Sequence, residues 1–244
     1  MTRIAAVIPC LNEAASIGQV VAQLRAQPHV RVERVIVVDG GSTDGTGDAA
    51  SAAGAEVVRE ERRGYGRACH AGVLAAEGAD VLVLLDGDAS DDPADLPRIV
   101  GPVVAGEADL VVGSRGRGGR EPGSMTPQQL VGNRLAAALM RLLYGLRVSD
   151  LGPFRAIRRD KLLALGMREM TYGWSVEMTV KAARAGYRYR EVPVSYRRRI
   201  GVSKVGGTVK GSLKAGWCIL STTLKYARWR LRGGEPAPGS GSPA

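Results

Sequence analysis

Through the first 114 residues, short apolar runs alternate with segments of helical period, and this alternation narrows the fold more than any other feature of the chain. Residues 3–9 (Arg-Ile-Ala-Ala-Val-Ile-Pro) are an apolar run closed by proline, which suits a strand buried on both faces. Ile17, Val20, Val21 and Leu24 then fall on one helical face within 14–26. Residues 34–39, 56–59, 80–86 and 109–113 repeat the strand pattern, 40–45 form a turn and helix-capping cluster, and 66–77 is an Ala-rich helical segment. Strands alternating with helices predict an α/β chain with a mostly parallel central sheet flanked by helices.

Further along, 128–144 and 175–185 predict helices, 154–157 and 188–195 predict strands, and 208–231 predicts a long, basic, partly amphipathic helix. Residues 115–127, rich in Arg, Gly, Pro, Ser and Thr, carry no period and predict a mobile loop. Residues 233–244, rich in Gly, Pro and Ser, predict a disordered tail. The expected organisation is one α/β domain over 1–207, a basic amphipathic helix over 208–232, and the tail over 233–244.

With a single phenylalanine, Phe154, and 5% aromatic residues, the core has to be built from Val, Leu, Ile and Ala. No apolar run approaches the roughly 18–20 residues of a membrane-spanning helix. Cys10, Cys69 and Cys218 are widely spaced and form no CxxC, which predicts a reducing, cytoplasmic setting. Asn12 and Glu13 follow the first apolar run where a secretory leader would carry small residues, so that run reads as a strand.

Charge divides the chain. Residues 1–110 carry a net −8 and residues 111–244 a net +18, and within 181–232 fourteen bases accompany one acid, Glu191. An acidic half joined to a basic half predicts two surfaces with different tasks. The basic one suits a polyanion (a phosphorylated substrate, an anionic membrane or nucleic acid) or serves solubility alone.

In an open parallel sheet, ligands bind beyond the carboxyl ends of the strands. Pro9, Asn12 and Glu13 fall at the end of the first strand, Asp39, Gly41 and Ser42 at the second, and Asp86, Gly87 and Asp88 at the fourth. Two carboxylates two residues apart at a strand exit suit a shared Mg²⁺ or Mn²⁺, whose coordination substrate phosphates complete. Gly87 lets a diphosphate approach the backbone. The alternative is a polar turn that caps the next helix, with Asp91, Asp92 and Pro93 as its first residues. A calcium loop of the EF-hand type is excluded, because Asp91 and Pro97 stand where its Gly and Glu belong. No GxxxxGK[ST] occurs, and Gly64-Tyr-Gly66 lacks the third glycine of a dinucleotide fingerprint, Cys69 standing there.

Seven ordered segments carry a resemblance: 7–13 (Val-Ile-Pro-Cys-Leu-Asn-Glu), 37–46 (Val-Val-Asp-Gly-Gly-Ser-Thr-Asp-Gly-Thr), Gly64-Tyr-Gly66 with Ala71-Gly72, Asp86-Gly-Asp88, Gly113-Ser-Arg115, 150–155 (Asp-Leu-Gly-Pro-Phe-Arg) and Gly201-Val-Ser-Lys204. Together they resemble glycosyltransferase family 2 with its GT-A, Rossmann-like fold, over roughly residues 3–210. The later segments resemble the branch of polyprenyl-phosphate (dolichol-phosphate-like) sugar synthases. Gly40 departs from the second Asp of many relatives, and Pro153 from a usual Gly before Phe154.

This resemblance implies an inverting hexosyltransferase that moves a sugar from a UDP- or GDP-sugar to a polyprenyl phosphate. It implies Asp86 and Asp88 as ligands of Mg²⁺ or Mn²⁺. Pro9, Asn12, Glu13, Asp39, Gly41, Ser42, Gly64, Gly66 and Gly87 would line the nucleotide. Arg115 and Lys204, with Arg199, would stabilise charge on the leaving diphosphate. Asp150 and Glu177 are the candidate bases or acceptor-site acids. The alternatives are a turn or helix cap for Asp150 and an i,i+4 ion pair with Lys181 for Glu177. A lipid phosphate needs no base, since its second pKa is about 6.

Lys204, Lys210, Lys214, Lys225, Arg228, Arg230 and Arg232 accompany Leu213, Trp217, Ile219, Leu220, Leu224, Tyr226 and Trp229, a composition suited to a membrane-interface helix. That predicts peripheral contact at the cytoplasmic face of a membrane. The competing expectation is a helix packed on the protein's own sheet or on a second subunit of a homodimer. Three other functions compete with transfer to a polyprenyl phosphate: transfer to a soluble acceptor, nucleic-acid binding, and sugar-nucleotide pyrophosphorylysis. Against nucleic acid, the basic half lacks a recognised reading motif; against the pyrophosphorylase, its Gly-rich N-terminal loop is missing.

Overall fold

Seven strands share one sheet in this computed structural model, which describes residues 2–201 and 209–231. They are β1 (Ile4–Cys10), β2 (Arg34–Asp39), β3 (Glu56–Arg59), β4 (Val81–Leu84), β5 (Leu110–Ser114), β6 (Arg155–Arg158) and β7 (Tyr189–Pro193), in the spatial order β3-β2-β1-β4-β6-β5-β7. β3, β2, β1 and β4 pair in parallel, as do β5 and β7, while β6 is antiparallel to both its neighbours. A single reversed strand between β4 and β5 leaves those two running the same way. Six carboxyl ends and the amino end of β6 therefore share one rim. The order turns back at β1, which has β2 on one side and β4 on the other, and such a switch point opens a crevice for ligands.

The continuous apolar runs reflect burial on both faces. Ile4, Ala6, Ile8 and Cys10 face α1 (Ala14–Arg25) and α4 (Leu96–Val104) in one core, with Val35, Val37, Val81 and Val83 beside them. Ala5 and Val7, with Ile36, Val38, Leu82 and Leu84, meet α3 (Tyr65–Ala75) and α7 (Trp174–Arg184) in the other. The short α2 (Thr46–Ala52) and α6 (Arg159–Ala164) complete the connections. α6 has no counterpart among the sequence expectations, because six residues are too few to display a helical period.

α5 (Pro127–Tyr144) starts at a capping box in which Thr126 and Gln129 satisfy each other's backbone, with Pro127 at the first helical position. It stops at Gly145, whose φ of 64° serves as the left-handed terminus. The preceding segment 115–127, expected as a mobile loop, is pinned along 194–198. The Tyr196 amide donates to the Gly119 carbonyl (2.8 Å), the Glu121 amide to the Tyr196 carbonyl (2.9 Å), and the Arg198 amide to Glu121 Oε2 (2.8 Å). Local sequence carries no period there because the segment takes its order from a partner over 70 residues away.

α8 (Val209–Lys225) packs on α5 and α7, so the basic helix lies on the protein's own domain. Tyr144 donates its hydroxyl to the Thr223 carbonyl, Lys225 pairs with Glu169 (2.6 Å), and Tyr226 is buried with Met140, Val176 and Val180. The helix ends six residues short of the expected 231. The expected tail over 233–244 and the candidate Lys204 lie outside the described residues. Among the described residues, no helix is long and apolar enough to cross a membrane.

Candidate active site

The exits of β1 and β2 are joined by side chains that satisfy each other's backbone. The Asn12 amide donates to Ser42 Oγ (2.9 Å), the Thr43 amide to Asn12 Oδ1 (2.9 Å), the Glu13 amide to Thr46 Oγ1 (2.8 Å) and the Ser42 amide to Asp39 Oδ1 (2.8 Å). Asn12 takes a φ of 53°, a left-handed value that Asn tolerates. Asn12, Glu13, Asp39, Gly41 and Ser42 thus form one wall, with Pro9 next to last in β1.

Beside this wall the chain leaves β4 through Asp86, Gly87 and Asp88. Ser16 of α1 donates to the Gly87 carbonyl (2.8 Å). A Cβ at Gly87 would lie 2.4 Å from Cys10 Sγ, so the turn passes the β1 exit at a distance only glycine allows. Asp88 Oδ1 accepts the Ser90 amide (2.9 Å), and Arg199 pairs with Asp88 Oδ2. The Asp86 amide donates to Asp91 Oδ2 (3.3 Å). The helix-capping task falls to Asp92, whose side chain accepts the Ala94 amide (3.1 Å). Asp86, Asp88 and Asp91 are not needed for it.

Asp86 Oδ1 and Asp91 Oδ1 are buried without a hydrogen-bond partner among the described residues. Burial, reinforced by the Asp88 charge, pushes the Asp86 carboxyl up to about 7. Burial, with Asp86 and Asp88, likewise raises Asp91. Crowded carboxylates with orphaned oxygens are short of positive charge, and a bound cation satisfies that need. Among the described residues, no group of three or more His, Cys, Asp or Glu is placed to hold a metal unaided. A Mg²⁺ or Mn²⁺ held by Asp86 and Asp88 would answer the shortage of positive charge that the orphaned oxygens mark, with its other oxygens coming from water and phosphate.

The raised Asp86 carboxyl has a measurable consequence. Between about 4, its ordinary value when unfolded, and about 7, the folded chain holds a proton that the unfolded chain has released. Folding stability contributed by this group is then lost as pH rises across that window. Asp86→Asn removes the titration. In EDTA, the melting temperature of the variant should gain on the parent between pH 5 and pH 7; a constant difference would contradict the raised carboxyl.

Opposite the acids, Arg115 follows β5. Its guanidinium forks onto Asp150 with both contacts at 2.7 Å, its amide donates to Asp150 Oδ2 (3.0 Å), and it lies 4.9 Å from the centre of the Tyr196 ring. Asn133 of α5 (2.7 Å) and the Leu151 amide (2.8 Å) also donate to Asp150 Oδ1. Five donors saturate this carboxylate and leave no lone pair to take an acceptor proton. Asp150 holds Arg115 in place and does not stand as a base. Glu191 of β7 supports the turn, accepting the Ser149 amide (2.7 Å), the Ser149 hydroxyl (2.9 Å) and the Asp150 amide (3.2 Å). Neither Asn133 nor Glu191 was among the candidates. Glu191 had a signal, as the lone acid in the most basic stretch of the chain.

Glu177 departs from the expectation of a base. It is fully buried on α7, pairs with the equally buried Lys181 at 2.7 Å, and accepts the amides of Arg168 (2.9 Å) and Glu169 (2.7 Å). The i,i+4 alternative describes it: the carboxylate anchors the 166–169 turn and is not among the rim groups. Gly64 and Gly66 serve the same junction, since a Cβ would lie 2.3 Å from the Met170 carbonyl oxygen at Gly64 and 2.2 Å from that of Glu169 at Gly66. Their smallness admits the 169–170 backbone against the start of α3.

Residues 5–166 match the family model for Glycosyl transferase family 2. The chain is 42% identical over 213 residues to an uncharacterized glycosyltransferase of Mycobacterium tuberculosis, covering 86% of this chain and 92% of that one. It is 35% identical over 243 residues to the undecaprenyl-phosphate mannosyltransferase of Micrococcus luteus (94% of each). It is 32% identical over 242 residues to the polyprenol monophosphomannose synthase of Mycolicibacterium smegmatis (93% and 86%). Among solved structures, glucosyl-3-phosphoglycerate synthase from Mycobacterium tuberculosis in complex with Mn²⁺ and UDP-glucose has a TM-score of 0.75 at 27% identity, covering 95% of this chain and 81% of that one. The sheet has the GT-A architecture, and the protein is a glycosyltransferase by class. The chain belongs to glycosyltransferase family 2.

Proposed function

We propose that this enzyme transfers a sugar, with inversion at the anomeric carbon, from a nucleotide diphosphate sugar to a polyprenyl phosphate at a membrane surface. One observation carries the lipid acceptor. Val131, Leu135 and Leu142 recur along one face of α5 and are 63%, 49% and 79% exposed, and Trp217 (72%) and Leu224 (60%) project from the adjoining α8. No acid occurs between Glu121 and Asp150, a stretch that carries Arg134, Arg141 and Arg147. An apolar face whose helix α5 carries only basic charges suits the interface of an anionic bilayer. The inner side of the same helix sends Asn133 to the Arg115–Asp150 pair. The names of two relatives carry undecaprenyl phosphate and polyprenol, which supports the reading. It makes the chain a peripheral protein at the cytoplasmic face.

The second reading, a soluble phosphorylated acceptor, draws on the glucosyl-3-phosphoglycerate synthase that shares the fold. The exposed faces of α5 and α8 favour the first.

In this reading Asn12, Glu13, Asp39, Gly41 and Ser42 hold base and ribose, and Asp86 and Asp88 hold Mg²⁺ or Mn²⁺ against the diphosphate. When bound, such a cation acts as a Lewis acid that offsets charge growing on the leaving group. Arg115, locked by Asp150 and Asn133 and stacked on Tyr196, offers a fixed positive charge to phosphate without reorganising. An acceptor phosphate oxygen attacks the anomeric carbon as the bond to the diphosphate breaks, and no proton has to move. That agrees with carboxylates at 150 and 177 that are both committed to other partners.

The test supplies a labelled nucleotide sugar with anionic vesicles containing polyprenyl phosphate. Label should enter the organic extract. Label that reaches only a water-soluble phosphorylated acceptor would establish the second reading. In the same vesicles, Leu142→Gln should weaken co-sedimentation roughly tenfold, the effect of withdrawing one leucine from an apolar interface; unchanged binding would remove α5 from the contact.

A further inference from the structure

Asp88 carries one oxygen for structure and one for charge. Oδ1 is taken by the Ser90 amide at 2.9 Å, and Oδ2 by the Arg199 guanidinium. The carboxylate is nearly fully buried, and Oδ2, the oxygen that no main-chain amide holds, is covered by that guanidinium.

The strap bearing Arg199 is fastened on both sides of it. The Ser195 amide donates to Asp95 Oδ2 (2.6 Å), the Arg197 amide to the Ser90 carbonyl (2.8 Å), and the Ile200 amide to the Asp88 carbonyl (2.9 Å). Its neighbours have partners away from the metal ligands: Arg197 pairs with Asp92 (2.5 Å), and Arg198 Nε donates to the Pro122 carbonyl (2.8 Å). Arg199 alone of the three holds a candidate cation ligand. Its side chain is 30% exposed, so it has room to swing while its backbone stays fixed beside the site.

We propose that Arg199 is an exchangeable counter-ion of Asp88: guanidinium and divalent cation exclude one another at Oδ2, and a nucleotide diphosphate draws the guanidinium away. Two positive charges on one carboxylate oxygen repel, whereas a diphosphate beside Asp88 gives the displaced guanidinium a new anionic partner within a side chain's reach. Cation and nucleotide diphosphate then bind cooperatively, each strengthening the other by the same factor. The inference rests on Asp86 and Asp88 holding the cation.

The test is Mn²⁺ binding to the full chain, counted by electron paramagnetic resonance with and without UDP. Arg199→Ala should bind Mn²⁺ alone about tenfold more tightly than the parent, because a competitor holding nine-tenths of the sites lowers apparent affinity by that factor. The extra tightening brought by UDP should shrink. Arg199→Lys retains the charge and should stay near the parent. Unchanged or weaker Mn²⁺ binding by Arg199→Ala overturns the exchange, and if Asp88→Asn has lost Mn²⁺ the underlying site survives. Mn²⁺ binding that persists in Asp88→Asn removes the site and the exchange together. Thermal melts of each variant establish that it is folded.

Discussion

Asp88→Asn is expected to lower sugar transfer by about a thousandfold while the melting temperature stays within a few degrees of the parent. Asparagine retains an oxygen for the Ser90 amide, which the native Oδ1 accepts at 2.9 Å, so the turn after β4 keeps its local support. What disappears is the negative charge that Arg199 neutralises and that a divalent cation would share with Asp86. Initial rates across a Mn²⁺ titration, with melts on the same preparations, separate chemistry from folding. Full activity in a folded variant would refute the assignment of the cation to this pair.

Glu177→Ala is expected to act on the other quantity. Its carboxylate neutralises a lysine that is itself fully buried, and it accepts two main-chain amides of the 166–169 turn. Lys181 donates to the Gly166 carbonyl (2.7 Å) and lies 4.8 Å and 5.1 Å from the ring centres of Tyr226 and Trp229. Removing the acid strands a buried ammonium and two amides, a loss of about 3–5 kcal/mol. For a chain of this size that corresponds to a fall in melting temperature of roughly 10 °C. The double replacement Glu177→Leu, Lys181→Met should recover part of the loss, because it removes both charges together. A base would behave oppositely: the rate would collapse with stability intact.

The two experiments divide the acidic candidates by environment. Asp88 lies at the rim with the half-buried Arg199 on Oδ2, whereas Glu177 lies on the buried face of α7 with both oxygens committed. Asp150 falls between them in place and with Glu177 in kind, near the rim but saturated by five donors. Sequence spacing could not separate the three, because an Asp or Glu beside a glycine or an apolar helix face looks the same whether its partners are water, metal or main chain.

Much of the frame was legible in consecutive residues. The run at 34–39 and the shorter one at 56–59 coincide with β2 and β3, and the helix over 128–144 differs from α5 by one residue. The pairs Asp86-Gly-Asp88 and Asn12-Glu13 stand at strand exits because a parallel α/β sheet places such exits on one edge. The segment 115–127 was opaque for the opposite reason, since its order comes from Tyr196.

By itself the sequence determined the alternation of buried strands and helices, the family, and the acids that end the first, second and fourth strands. All of these are patterns among near neighbours, where period, steric preference and motif spacing act directly. Only the tertiary structure decided that β6 runs backwards, that Arg115 meets Asp150 across 35 residues, and that Arg199 meets Asp88 across 111. Charge carries no address: any of 34 bases suits any of 24 acids until the sheet brings particular ones to the same rim and burial fixes their partners.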